Sequence, residues 1–482
     1  MIITDPALRK LEYVFTNGSL SAVISKYKDI NGVYQSAAQS SFTYHPDGKI
    51  KEVIDPRGKK VAYNYLNGKL SSFSKELTIY TPGNLSGSLT NPATSFAYDT
   101  LNLVTTVTGP DNVKQEYKHN LDGTLQTKTL YPAPDKPITS SFAYNSNKQV
   151  TEEKDGKQYI TSYSYDELGR LVYKRLPRAK DFDGKVLSTL ETRYAYDDPN
   201  NKYKPSKVEE KELLPDGATY KEQNTRKTDK TYDASGNLKT EIFDSAGQTP
   251  KKTEYFYTNG NLTEKWVHNT YKTPAGTFAT EVAKTKYNFG PSNQDLYMTS
   301  GVDPLGQKTN YQYDFATGYK KYEIDNFNTR TDYQYYPFGL LKEKTVSYAV
   351  NGITYTSTTS YEYDAAGNET KVTHPGARIV NQTYDEDNHL ILSENPDVTI
   401  YDYGNDDGTA PVITAGPVRT YNFYDQTGNQ TAVQDGRGKL TYSYYDGIGR
   451  LNETKDPLQN KIVNDYDPNG NKTGVTKFTF NA

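Results

Sequence analysis

Tyr163-Ser164-Tyr165-Asp166-Glu167-Leu168-Gly169-Arg170-Leu171 is the stretch that decides how this chain folds. Two aromatic residues one apart put both rings on one face of a strand, because side chains alternate along it. Aspartate can then bond its own backbone two residues on, and glycine accepts the positive φ that closes the turn. The phrase returns as Tyr361-Glu362-Tyr363-Asp364-Ala365-Ala366-Gly367, and as Tyr442-Ser443-Tyr444 leading to Asp446 and Gly449. A chain built from one reiterated unit is a surface or a container before it is a catalyst, since a repeat does not supply unique converging residues.

Outward from that phrase the same grammar holds. Within residues 42–70, Tyr44-His45-Pro46-Asp47-Gly48, Asp55-Pro56-Arg57-Gly58 and Tyr63-Asn64-Tyr65-Leu66-Asn67-Gly68 bring a glycine round at positions 48, 58 and 68. Each is read as closing a four-residue turn, and Asp55-Pro56-Arg57-Gly58, with Asp first, Pro second and Gly last, has the preferences of type I. The tetrad recurs at Asp166–Gly169, Asp233–Gly236, Asp244–Gly247, Asp303–Gly306, Asp364–Gly367, Asp425–Gly428, Asp435–Gly438, Asp446–Gly449 and Asp467–Gly470. Asn102 and Asn388 stand in the glycine slot, and asparagine tolerates the left-handed conformation better than most residues. Pairs such as Phe42/Tyr44, Phe142/Tyr144, Tyr255/Tyr257 and Tyr333/Tyr335 mark the strands between turns. Cross-strand aromatic pairs of about 0.2–1 kcal/mol each are the expected specific stabilisation. Longer spacers, such as Asp181–Arg193 and Val346–Thr359, read as lengthened hairpins.

Composition supports this reading. Hydrophobic residues make up 34% of the 482, and 45 residues are Tyr, so aliphatic core material is thin. Tyrosine offers an apolar face with a hydroxyl that reaches water or a partner, which suits a sheet with one dry face and one wet face. The charge of −3 calls for neither nucleic acid nor an anionic membrane. There is no cysteine, hence no disulfide or thiolate chemistry. No stretch approaches the roughly 20 apolar residues of a membrane span. Met1-Ile2-Ile3-Thr4-Asp5 does not read as a signal peptide.

The fold class is therefore all-β, with residues 1–482 as a single continuous repeat array. Open twisted sheets rarely exceed about 10 strands without curling. Roughly 18 or 19 units of two strands must coil, in the direction that strand twist supplies. The expected form is a long antiparallel ribbon of hairpins spiralling around a lumen.

Asp166-Glu167-Leu168-Gly169-Arg170-Leu171, Asp446-Gly447-Ile448-Gly449-Arg450-Leu451 and Asp233-Ala234-Ser235-Gly236-Asn237-Leu238, alternating with Asp-Pro-x-Gly, resemble the YD repeat of RHS proteins. The resemblance covers essentially the whole chain. It implies a β-ribbon wound into a hollow shell, as in bacterial polymorphic toxins, wall-associated proteins, the B and C components of Tc insecticidal toxins, and the adhesion proteins called teneurins. In the toxins such a shell holds a variable C-terminal toxic domain. Here repeats run from Tyr13-Val14-Phe15-Thr16-Asn17-Gly18 to Asp465-Tyr466-Asp467-Pro468-Asn469-Gly470, and no core motif with an autoproteolytic aspartate follows. The expectation is a shell section truncated at both ends, or a component completed by another chain, secreted or on a bacterial cell surface or wall. Its partners would be further shell segments and a C-terminal toxin or other passenger polypeptide outside this chain.

No catalytic, cofactor-binding or metal-ligating residue emerges. His45, His119, His268, His374 and His389 each fill a turn or strand slot of the repeat. Asp465, Asp467, Asn469 and Gly470 mimic the start of a calcium loop, but Thr476 occupies the position of the bidentate Glu. Asp385-Glu386-Asp387 and Asp406-Asp407 read as solvated turns before loose calcium sites. The aromatic ladder leaves a second reading open, a glycan- or cell-surface-binding module used in adhesion. Against it, such solenoids repeat Trp, and Trp266 is the only one here.

Overall fold

The computed structural model describes the chain except residues 1, 5–9, 29–33, 181–185, 217–218, 248, 291–295, 403–411 and 481–482. Thirty-nine strands account for nearly all regular structure, and Pro375–Ala377 forms the one short helical turn among the described residues. Among the described residues no helix is long and apolar enough to cross a membrane. Thirty-seven strands form a single sheet, and Leu77–Thr81 with Asn84–Thr90 make a separate hairpin. Pairing is antiparallel and sequential throughout: Val150–Lys154 pairs with Ile160–Tyr165, which pairs with Leu171–Lys180, and so along the chain. Only the separate hairpin is skipped, Lys69–Lys75 pairing directly with Ala93–Tyr98.

The expected turn is present and more specific than its sequence suggested. At Asp166–Gly169 the Gly169 amide donates to the Asp166 carbonyl at 2.9 Å, and the Asp166 amide to the Arg170 carbonyl at 3.0 Å. Asp166 Oδ1 accepts the amides of Leu168 and Arg170, at 3.0 and 2.9 Å. Gly169 sits at φ 77°, where a Cβ would be strained. Asn102 and Asn388 take the same conformation, at φ 66° and 67°. Past the turn the register shifts: Ser164 faces Tyr173, but Tyr165 faces Leu171, so one extra residue sits on the returning strand. That bulge recurs after Ala143, Gln312, Glu362 and Asp465, and bulges of this kind bend a strand and increase its twist.

Three turn readings need correction. Leu66-Asn67-Gly68-Lys69 is a two-residue hairpin, with Asn67 and Gly68 at φ 50° and 79°. Asn17-Gly18, Asn259-Gly260 and Asn351-Gly352 match it, since both central residues of this turn require positive φ. At Asp244–Gly247 the positive φ, 52°, falls on Asp244 instead of glycine, because the Ser245 amide is drawn to the Lys227 carbonyl at 2.8 Å. In the third copy of the phrase the ladder residue is Tyr445, directly before Asp446, and Tyr444 is 48% exposed. The lengthened hairpins are borne out: Leu171–Lys180 pairs with Val186–Ala195, and Leu341–Val350 with Ile353–Tyr363.

The sheet is one layer thick. Its accessible surface is 29295 Å². A compact protein of 54.3 kDa would expose about 18,000 Å². Two faces in contact with solvent account for the difference, and among the described residues few apolar side chains, Leu77, Tyr232, Phe423 and Ala432 among them, are fully buried.

Candidate functional site

Two recurring devices build the wall, and a third closes it on itself. The first is the tyrosine ladder. In several units the tyrosine before the turn donates its hydroxyl to a carbonyl of the preceding unit: Tyr144 to Leu125 at 2.8 Å, Tyr165 to Val150 at 2.9 Å, Tyr196 to Leu171 at 2.9 Å and Tyr466 to Leu451 at 2.8 Å. The acceptors begin the returning strands, at the bulges. Each tyrosine thus satisfies a carbonyl at the irregularity its neighbour creates, which phenylalanine cannot do. Ring-on-ring contacts, expected to dominate, are patchier: Tyr319 stacks on Tyr335 at 4.8 Å and Tyr297 meets Tyr313 at 5.1 Å. Burial raises the phenol pKa values of Tyr144, Tyr196 and Tyr363. At Tyr163, burial and the nearby Glu153 carboxylate push it to about 12.

The second device is the residue after glycine. Arg170 Nε donates to Asp166 Oδ2 at 2.7 Å and lays its guanidinium 4.4 Å from the Tyr196 ring centre. Arg450 repeats this with Asp446 at 2.7 Å and Tyr466 at 4.8 Å. Asn237, Asn368, Asn429 and Asn471 keep the bond to the aspartate but have no guanidinium to lay on a ring. His389 fits the arginine slot assigned to it: Nδ1 lies 3.0 Å from Asp385 Oδ2, and its ring stacks on Tyr424 at 4.6 Å. The other histidines are also occupied structurally. His45 Nε2 lies 3.1 Å from the Tyr63 carbonyl, and His268 Nε2 lies 2.6 Å from Glu254 Oε2. His119 fills its strand slot with Nδ1 buried and without a hydrogen-bond partner, 3.6 Å from Asp99 Oδ2, and the backbone of His374 closes a turn with Arg378.

The third device is a seam. In a meander, successive turns alternate between two rims. Turns after a tyrosine-bearing strand form the upper rim, and the intervening turns form the lower rim. Lower-rim turns touch upper-rim turns some 310 to 330 residues later. Arg57 donates to the carbonyls of Asp385 and Glu386 at 2.8 and 2.6 Å. Lys59 pairs with Glu386 at 3.0 Å, and Lys75 pairs with Asp387. Gln426 reaches the Pro110 carbonyl at 2.7 Å, and the Gly447 amide reaches the Pro132 carbonyl at 2.7 Å. Lys157 pairs with Asp467 at 2.8 Å, and Asn469 donates to Asp155 at 2.6 Å. The separate hairpin joins here, with the Thr78 amide and hydroxyl both donating to Glu386, at 3.0 and 2.9 Å.

The charges at the seam are tuned by one another. Burial pushes the Glu386 carboxyl up, and the Thr78 amide and Lys59 ammonium outweigh it, holding the pKa below the usual range. The Lys59 pKa is raised by its bond to Glu386. Asp467 is opposed by burial yet held down to about 2 by Lys157 and Asn471. Asp385-Glu386-Asp387 is therefore neither a free solvated turn nor a lone acidic cluster but half of this joint. Asp406-Asp407 lies outside the described residues. Asp467 Oδ1 accepts the amides of Asn469 and Asn471, so the calcium-loop mimic is a repeat turn. Among the described residues no group of three or more His, Asp or Glu side chains is placed to hold a metal ion.

The seam was not foreseen, although the sequence marks it. Gly156 and Gly447 stand second in their turns, where the turn itself does not need glycine. A Cβ on Gly447 would lie 2.7 Å from the Tyr131 carbonyl oxygen, and one on Gly156 would lie 2.9 Å from that of Pro468. These two glycines let one pass of the coil approach the next.

No curated protein matches the sequence. Among solved structures, TcdB2-TccC3 without its hypervariable C-terminal region is similar at 16% identity and TM-score 0.46, over 98% of this chain and 23% of that one. The Photorhabdus luminescens Tc holotoxin pore is similar at 13% identity and TM-score 0.31, over 96% of this chain and 32% of that one. The chain spans about a quarter to a third of the length of these structures. Residues 22–214 match the family model described as Teneurin YD-shell. Beyond the matched residues the Tyr-Asp-x-x-Gly turn runs on in the same geometry to Asp467–Gly470, so the likeness to the YD-shell family is shown for residues 22–214 and the same turn continues past them.

Proposed function

We propose that this wall section encloses a passenger polypeptide and shields it from its surroundings. The observation that carries the reading is the seam in a single-layer sheet. About 25 strands lie between the turn at Asp55–Gly58 and the turn it docks on at Asp385–Asn388. At about 4.8 Å per strand the wall runs roughly 120 Å around before meeting itself. A ring of that contour, less a wall about 10 Å thick, leaves a lumen near 28 Å across. That is wide enough for an extended chain, and close to the size of a small folded domain. Because both faces of the sheet meet solvent, the wall has no dry surface on which to bind a passenger tightly. Enclosure, in this reading, works by exclusion. The passenger would be a toxin or other polypeptide carried outside residues 1–482, and the protein would act in secreted form or at a cell surface.

Appending a protease-sensitive reporter after Ala482 tests this. Enclosure predicts that the reporter resists protease while the seam is intact and is cut when Arg57 and Glu386 are both replaced by alanine. A reporter cut at the rate of the free polypeptide in the intact protein would overturn the reading. Saturable binding to a glycan array, lost on substitution of exposed residues such as Tyr444, would favour adhesion instead.

A further inference from the structure

The seam shows how one rim of this protein recognises the other, and most of both rims lies outside it. Among the turn positions that make contact at the seam are the third residues. On the lower rim these are Arg57 and Lys157, and on the upper rim Asp387 and Asn469. Ile448, the third residue of Asp446–Gly449, is half-buried beside the Pro132 loop. Leu168 holds the same position in the near-identical turn Asp166–Gly169, away from the seam, and is 68% exposed. The lower rim away from the seam repeats the pattern: Leu305, Phe327 and Leu458 are third in their turns and 82%, 76% and 74% exposed. Large apolar side chains therefore sit uncovered at the positions that make contact where the rims do meet.

We propose that the free rims of two copies dock as the rims dock at the seam. Leu305, Phe327 and Leu458 on the lower rim of one copy would seat on upper-rim tips such as Leu101 and Leu168 of the next. A second copy is the fitting partner because it carries the complementary rim by construction, continuous with an interface the chain already makes with itself. Docking of unlike rims is head-to-tail, so it extends into stacks and does not stop at a closed dimer. The proposal does not depend on what the lumen holds.

Sedimentation velocity of the whole chain across a concentration series tests it. The mass is expected to rise with concentration, in steps of one chain, within the range up to roughly 100 µM that micromolar contacts require. The lower-rim variant L305E/F327E/L458E should weaken association at least tenfold while leaving circular dichroism and melting unchanged. Mixing it with the upper-rim variant L101E/L168E should restore pairs but not longer stacks, since each mixed pair keeps one intact interface. A single-chain mass throughout the series, or stacks that survive the triple substitution, would overturn the proposal.

Discussion

The Tyr165 hydroxyl donates to the Val150 carbonyl at 2.9 Å, and Val150 is the residue that faces Tyr144 at the bulge of the preceding hairpin. Tyr144, Tyr165, Tyr196 and Tyr466 are each tied in this way to an irregularity made by an earlier unit. Replacing Tyr165 with Phe leaves the ring and removes the bond. The carbonyl then depends on water, and the expected cost is about 1–2 kcal/mol. Because a repeat array opens locally, hydrogen exchange at residues 144–171 is the apt measurement. Faster exchange confined to the two adjoining hairpins is expected.

The turn aspartate acts as an acceptor before it acts as a charge. Asn145 occupies the same slot, and its Oδ1 accepts the amides of Asn147 and Gln149, both at 3.0 Å. Asp364→Asn should therefore change stability by less than about 0.5 kcal/mol, whereas Asp364→Ala strands two amides and should cost about 1–2 kcal/mol. Denaturant melts of the two variants side by side check the difference.

The seam is acid-sensitive. Asp467 and Glu386 have depressed pKa values in the folded state, so their stabilisation is present above their ordinary values and lost as pH falls. For Asp467 the loss runs from about 4 down to about 2. Lys59 is raised, so its contribution is complete below its ordinary value near 10.5 and fades only as pH climbs past it. Small-angle scattering should show the particle lengthening between pH 4 and 2. Asp467→Asn should expand at a higher pH than the parent, having already lost one of these pairs.

Gly447→Ala separates seam from hairpin. Its φ is not in the left-handed region, so alanine does not strain the turn, but its Cβ would lie 2.7 Å from the Tyr131 carbonyl oxygen. The expected outcome is an unchanged strand signal in circular dichroism with faster exchange at the Gly447 amide, whose acceptor is across the seam.

Strands, turns and coiling are legible in the sequence because each repeat states its own local chemistry: an aromatic pair, an acceptor, a residue free to take positive φ. The histidines were legible for the same reason, and His389 was recognisable as an arginine substitute because the slot is written many times over. The hydroxyl-to-carbonyl ladder was not, since the bulge that places Val150 within reach of Tyr165 leaves no mark in composition or spacing. The seam was hidden for a different reason. Arg57 and Glu386 meet only because some 25 intervening strands accumulate their twist to one full revolution, a sum that no local window contains. One residue of register also decided whether Tyr444 or Tyr445 joined the ladder, and the doubled tyrosine before Asp446 gave local pattern no means of choosing.

The central claim is that the ribbon returns onto itself. The chain has no cysteine, so Lys136→Cys with Tyr444→Cys gives two clean sites for spin labels on either side of the seam. Pro132 and Gly447 are in backbone contact, which limits the separation of the two labelled backbones to about 30 Å by chain reach. Double electron–electron resonance should give one narrow distribution near or below that length. An open ribbon would hold the sites roughly 100 Å apart at the ordinary strand spacing. A spectrum with no short-distance component would contradict the coil, the lumen and the shell together.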